Sequence, residues 1–314
     1  MTRAGTRAVK ASVKASAKKT TRRATVRPPK QTERWLNGVA LHAGGARRWR
    51  LFKPPGARKA APLPLLVLLH GCDQDAAAIA RLTRIGSLAA REGFIVLCPE
   101  QDRLANTQGC WNWFAMRSGR ALKEAELILA AIDQACALHG ADPARVAIAG
   151  LSAGASMAAL LAARHPERFQ AVAMHSGVAP GSATSAANAL RAMHGRGTPP
   201  ALATTIGLPP LLVIQGTRDN IVAPSNARAA VQWWADASGA MPTAARRVER
   251  GQRHAMEVTE FKRRSRVAAT LCEIQGLVHA WSGGGASQPY SDAKGPDATR
   301  LIWAFAARAF KARA

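Results

Sequence analysis

The chain has 314 residues, 48% of them hydrophobic, enough for one large buried core or two small ones. Its formal net charge of +25 favours acidic partners, whether nucleic acid, anionic lipid or another polyanionic surface, and says nothing by itself about chemistry. No run of about 18 apolar residues occurs, so no transmembrane helix is expected, and no Cys-x-x-Cys or Cys/His spacing suggests a structural metal.

The charge is uneven. Residues 1–30 hold ten of the 44 Lys and Arg and none of the 19 acids. With almost nothing large and apolar, residues 1–33 cannot bury enough surface to offset chain entropy, and a disordered basic tail is expected there. It reads either as a solvated tail or as an anchor to a granule surface, anionic lipid or nucleic acid. The N-terminus has positive charge but no apolar core of about 7–15 residues, so it does not read as a secretory signal. The expected location is cytoplasmic, with granule association as one form of it. Five cysteines, an odd number, argue against a fully paired secreted framework and leave room for one bridge.

From Trp35 the composition becomes that of a folded domain, taken as residues 34–314. Trp49–Phe52 suggests an edge strand. Leu65–Leu69 is a buried-strand run followed at once by His70-Gly71-Cys72. The pattern then predicts a helix over Ala76–Arg91, a strand at Phe94–Cys98 and a helix over Leu122–Leu138. Further strands are expected at Val146–Ala149, Ala171–Met174, Leu211–Ile214 and Ala268–Ile274, with helices over Ser225–Ala237 and Asp297–Phe310. Residues 180–208, rich in Gly, Ser, Ala and Pro, interrupt the alternation as either a lid or an ordinary insertion. Continuous apolar strands alternating with helices imply an α/β fold, a mostly parallel, doubly wound sheet covered on both faces.

The stretch around which this organises is Gly150-Leu151-Ser152-Ala153-Gly154. A strand precedes it and an Ala/Leu/Met-rich helix follows. That is the context of a nucleophile elbow, in which a strained turn holds a serine hydroxyl above the sheet edge. The two glycines let strand and helix approach closely. Serine needs a base and the base an orienting acid, and in this fold the chain order is Ser, acid, His. Asp219 follows the Leu211–Ile214 strand directly, where catalytic groups gather in open α/β sheets, although Asp-Asn is also turn chemistry. His279 lies in a glycine-rich loop between the last strand and last helix. Its rival, His254, has the neighbours of an exposed turn. His165 and His175 precede the acid in the chain. A developing oxyanion needs at least two fixed donors: the N–H of Ala153 is one, and the N–H of Cys72, after the Leu65–Leu69 strand, is the natural second. His70 reads as a brace of that loop.

His70-Gly71-Cys72-Asp73-Gln74, Pro99-Glu100-Gln101, Gly109-Cys110-Trp111-Asn112-Trp113-Phe114, the Ser152 pentapeptide and His279-Ala280-Trp281-Ser282-Gly283-Gly284 together resemble the poly(3-hydroxybutyrate) depolymerase family of esterases. The likeness runs over roughly residues 35–314. It implies the α/β-hydrolase fold and two-step ester hydrolysis with Ser152 as nucleophile, Asp219 as orienting acid, His279 as base and Cys72 as an oxyanion donor. No metal or organic cofactor is implied. The substrate implied is a polyhydroxyalkanoate or its oligomers. Feruloyl, acetylxylan or general short-chain esters are the rival substrates, and an inactive polyanion- or granule-binding protein is a remote third reading. Trp111, Trp113 and Trp281 lie near these motifs, either as an apolar wall for the acyl chain or as core. Cys72 and Cys110 are expected to approach one another in the oxyanion region, which makes a bridge between them a testable expectation. Many family members are secreted, so an extracellular location is the alternative. Acyl preference and oligomeric state are not legible.

Overall fold

Period-two alternation builds the centre of the fold. In the computed structural model, which describes residues 35–57, 61–200 and 207–312, Leu65, Val67 and Leu69 enter one hydrophobic core while Leu66 and Leu68 enter a second on the opposite face. The expected basic tail, residues 1–33, lies outside the described residues.

The strands are β1 (Trp35–His42), β2 (Gly45–Phe52), β3 (Leu63–Leu69), β4 (Ile95–Pro99), β5 (Ala141–Leu151), β6 (Ala171–His175), β7 (Leu211–Gly216), β8 (Met241–Pro242), β9 (Arg246–Val248), β10 (Met256–Arg263), β11 (Arg266–Ile274), β12 (Trp281–Ser282) and β13 (Ser291–Asp292). The helices are α1 (Ala76–Thr83), α2 (Ile85–Glu92), α3 (Arg120–His139), α4 (Ala153–Arg164), α5 (Ala186–Arg191), α6 (Ser225–Ser238) and α7 (Ala298–Lys311). One sheet runs β1-β2-β4-β3-β5-β6-β7-β11-β10-β8, with β9 also on β10; β12 and β13 form a separate pair. The strands from β4 through β11 are parallel, and antiparallel strands extend both edges. Helices α3, α4 and α6 supply one core, and α1, α2 and α7 the other. This is the doubly wound α/β-hydrolase architecture.

Two sequence expectations change. The helix over Ala76–Arg91 is two helices, because Arg84 turns left-handed (φ 54°) between them and its guanidinium donates to the Gly283 carbonyl at 2.7 Å. The segment near Trp49–Phe52 is not the edge, since β1 lies outside it. The stretch 180–208 contains α5 and a π-helical turn at Ala192–Arg196; residues 201–206 are not described. Strands β9 and β10 are not legible in the sequence, as Arg, Lys and Glu break their apolar pattern, and β8, at two residues, is too short to carry one.

For the site, the consequence is convergence. The chain leaves β3 into His70-Gly71-Cys72, β5 into Ser152, β6 at His175, β7 into Asp219 and β11 into the His279 loop. Parallel strands place all five ends on one edge of the sheet.

Candidate active site

Ser152 is the N-cap of α4 and holds φ 55°, ψ −119°, a strained conformation for a residue with a side chain. The strain is held by packing. A Cβ at Gly150 would sit 2.3 Å from the Gly154 carbonyl carbon, and one at Gly154 would sit 2.4 Å from the His70 carbonyl oxygen. The pentapeptide therefore needs both glycines to let β5, α4 and the loop after β3 meet. The Ser152 N–H donates to the His175 carbonyl at 2.8 Å, which pins the turn to the neighbouring strand.

The loop after β3 lies against that turn. A Cβ at Gly71 would stand 3.6 Å from the Ser152 Cβ. The Gly71 N–H donates to Gln74 Oε1 (2.9 Å) and the Asp73 N–H to the Gln108 carbonyl (2.8 Å). Among the described residues, the N–H of Cys72 between them has no acceptor, and neither has that of Ala153 at the start of α4. The two N–H groups thus lie on the two segments that meet at Ser152, that of Ala153 among the free donors any helix start leaves. Cys72 is also bonded to Cys110 in a disulfide (Cα–Cα 4.3 Å), which ties this loop to the segment carrying Trp111 and Trp113.

The structure brings Asp219 and His279 together. His279 Nδ1 lies 2.8 Å from Asp219 Oδ2, and the imidazole keeps about 10% of its side-chain surface open while the carboxylate is fully covered. The turn after β7 folds to present this acid: the N–H groups of Ile221 (3.0 Å) and Val222 (2.8 Å) donate to Oδ1, and Gln215 Nε2 donates to Oδ2 (3.0 Å). Burial alone would push the carboxyl up; the His279 hydrogen bond and charge, with the two backbone donors, hold it below its ordinary range. The two loops are stitched by Arg218 N–H to the Leu277 carbonyl and Gly276 N–H to Thr217 Oγ1, both 3.0 Å. A carboxylate accepting at Nδ1 leaves Nε2 as the free, proton-accepting nitrogen.

His175, set aside as the base and read from the sequence as a strand-end residue, has a larger part than that. It is fully buried at the end of β6, where its ring stacks on Trp281 (centroids 5.0 Å, 23°). Nε2 accepts the Ser282 N–H at 3.1 Å, so the proton sits on Nδ1 and faces Ser176 Oγ at 3.1 Å. Burial, with His279 nearby, pushes its pKa down to about 3. One neutral residue thus holds the serine turn with its carbonyl and the histidine loop with its ring. His70 does the same for the other loop. Its Nε2 accepts the Gln101 N–H (3.1 Å), its carbonyl accepts the Trp111 indole (3.0 Å), and burial lowers its pKa to about 4. Buried Arg47 completes that side by donating to Gln101 Oε1 at 2.6 Å. The strand-end place of His175 was legible; its contacts to Ser152 and Ser282 were not, since both partners are distant in sequence.

The tryptophans are a correction. Trp111 and Trp281 are almost wholly buried and Trp113 nearly so. The Trp281 indole donates to Thr299 Oγ1 at 3.1 Å, and Arg47 lies over the Trp111 ring. Of the two readings the sequence left open they are core, Trp111 and Trp113 in one hydrophobic cluster and Trp281 in the other. The exposed apolar side chains flanking the acid and base are instead Ile221 and Val278. His254, read as lying in an exposed turn, is half-buried and pairs with Asp292 at 3.0 Å.

The sheet topology and its helices define an α/β-hydrolase fold. Comparison with known proteins names the family: residues 47–257 match the model described as Esterase PHB depolymerase, and the chain belongs to that family. The match takes in Ser152 and Asp219 and ends before His279. Poly(3-hydroxyalkanoate) depolymerase C of Paucimonas lemoignei is 37% identical over 145 residues, 46% of this chain and 35% of that one. Feruloyl esterase B of Neurospora crassa is 35% identical over 127 residues, 40% of this chain and 42% of its own length. The chain thus spans less than half the length of these relatives. Among solved structures, an acetyl xylan esterase from Aspergillus awamori superposes with a TM-score of 0.63 over 78% of this chain and 94% of that one; at 20% identity the likeness is one of fold. No helix among the described residues is long and apolar enough to cross a membrane.

Proposed function

We propose that the protein is a carboxylic ester hydrolase acting on polyhydroxyalkanoate, poly(3-hydroxybutyrate) or its oligomers, through Ser152, His279 and Asp219. The observation that carries this reading is the 2.8 Å Asp219–His279 contact at the same sheet edge as a strained serine turn flanked by two unpaired N–H groups. His279 takes the Ser152 proton at Nε2 as the hydroxyl attacks the ester carbonyl, and Asp219 stabilises the imidazolium. The N–H groups of Cys72 and Ala153 receive the oxyanion. The alcohol leaves with the proton, and water, activated the same way, releases the acid from Ser152.

Feruloyl and acetylxylan esters are the second reading, supported by the names of several relatives. The test is hydrolysis of amorphous poly(3-hydroxybutyrate), a p-nitrophenyl butyrate control, methyl ferulate and acetylated xylan by wild type and Ser152→Ala. Polyester activity abolished by the substitution supports the first reading. Activity confined to ferulate or xylan overturns the substrate, and activity that survives Ser152→Ala overturns the mechanism.

The Cys72–Cys110 bridge supports an oxidising compartment over the cytoplasm, since cytosolic thiols keep such pairs reduced. Five free thiols on protein unfolded straight from its native source would overturn that placement.

A further inference from the structure

One polar side chain beside Asp219 stands where the sheet calls for an apolar one. Gln215 is the last residue but one of β7 and is wholly covered. Alternation along the strand turns it to the side of Leu211 and Val213, both in the hydrophobic core that α3, α4 and α6 supply. An apolar residue of the same length would pack on that face. The glutamine instead buries an amide whose Oε1 has no partner among the described residues. A buried unpaired oxygen is costly, which directs attention to the other end of the amide.

That end, Nε2, donates to Asp219 Oδ2 at 3.0 Å and to the Val222 carbonyl at 3.1 Å. The two acceptors fix its orientation, since a flip would set Oε1 against both. A carboxylate offers about four acceptor sites. On Asp219 the N–H groups of Ile221 and Val222 fill those of Oδ1, and His279 Nδ1 takes one at Oδ2. Gln215 closes the last. The turn does not need this bond for its shape. The Thr217 N–H donates to the Ile274 carbonyl (3.0 Å) and the Asp219 N–H to the Gly216 carbonyl (3.3 Å). A Cβ at Gly216 would clash with the Leu277 carbonyl, so the acid's turn and the base's loop are already in contact. What the amide adds is electrostatic, because a second donor on the oxygen that faces the base draws charge away from that contact.

We propose that Gln215 is a positioning residue for the serine chemistry: by filling the second site on Asp219 Oδ2 it holds the carboxylate in one orientation and moderates its grip on protonated His279, which can then pass its proton to the leaving alcohol. The inference rests on the reading of Ser152, His279 and Asp219 given above. The charged groups around this contact are few. His279 comes from the loop after β11 and His175 from the end of β6, where burial pushes its pKa down to about 3 and keeps it neutral near pH 7. Glu273, in register with Gln215 on β11, is paired with Arg228 of α6 at 2.6 Å. Arg218, next to the acid in sequence, is exposed. Of these groups His279 is the one whose charge changes in the reaction.

The test is Gln215→Met in the full chain, which keeps the length and the apolar packing and removes the donor. Its kcat/KM on p-nitrophenyl butyrate, read from about pH 5 to pH 9, should show an acid limb about 0.5–1 pH unit above that of wild type, because a less shared carboxylate favours the protonated base. KM should stay within about twofold, as a covered side chain touches no substrate. The proton on His279 Nδ1 supplies a second readout that needs no turnover: its low-field NMR resonance should move further downfield and titrate with the same displaced midpoint. Gln215→Leu, of a different shape, should move both in the same direction, with urea midpoints to show that the variants fold. A limb and resonance that stay in place, or move to lower pH, overturn the proposal. So does a fall in kcat with the limb unmoved, which would leave only packing, and so does failure of both variants to fold. A wild type that shows the resonance but hydrolyses no ester overturns the esterase reading instead, and the resonance then decides Gln215 by itself.

Discussion

Replacing Asp219 by Asn changes one atom and tests the whole proposed arrangement. The Asp219 carboxylate has four donors around it: the backbone N–H groups of Ile221 and Val222 at Oδ1, and Gln215 Nε2 and His279 Nδ1 at Oδ2. The two backbone donors cannot turn round, so the amide oxygen must face them and the amide NH2 must face His279. Two donors then meet at Nδ1. The imidazole has to accept there, moves its proton to Nε2, and can no longer take one from Ser152. Gln215 adapts more easily, because its buried Oε1 has no partner and a flip presents it to the new NH2, at the cost of the bond to the Val222 carbonyl. The fold therefore survives with the wrong tautomer. Loss of the tautomer is worth about 10⁴ in kcat, or about 5.4 kcal/mol at 1.36 per tenfold. KM should stay within about twofold, since no ground-state contact changes. The assay is kcat and KM on p-nitrophenyl butyrate beside a urea-unfolding midpoint. A folded Asp219→Asn variant with kcat within tenfold of wild type would refute Asp219 as the orienting acid.

The remaining expectations concern stability and its coupling to the site. Cys72 and Cys110 are 38 residues apart, and closing that loop restricts the unfolded chain by roughly 4 kcal/mol. Cys72→Ala/Cys110→Ala and dithiothreitol-treated wild type should melt together, well below the oxidised protein; a reductant-insensitive melt contradicts this. Gly154→Ala would drive a Cβ to 2.4 and 2.5 Å from two backbone carbonyl oxygens that cannot move aside, those of His70 and Leu69. A loss of roughly 3 kcal/mol is expected, and a melting temperature equal to wild type would show the β5–α4 contact to be looser than described. His70 and His175 have folded pKa values of about 4 and about 3, below the unfolded 6.5, because burial penalises the charged form. Their contribution is complete above about pH 6.5 and is lost as pH falls toward those values, roughly 2 kcal/mol each by pH 5. Urea unfolding at pH 7 and pH 5 measures it. His175→Gln should lose about half of that pH dependence, and the same slope as wild type would remove His175 from the account.

Much of this protein was legible in its residues. Continuous apolar runs such as Leu65–Leu69 announced parallel strands covered on both faces, since only a strand buried on both sides can be apolar at every position. The Gly150–Gly154 pentapeptide announced a tight strand-to-helix turn. The order of Ser152, Asp219 and His279 followed from which residues close a strand or open a loop. Those are local properties, written in spacing and residue type. What tertiary structure decided is everything that depends on residues distant in sequence meeting. The Cys72–Cys110 bond, the four donors around Asp219, and the grip of His175 on both Ser152 and Ser282 bring together segments up to 107 residues apart. Trp111 and Trp281 look the same in sequence whether they face a substrate or a core, and only the packing of the loops above them buries them.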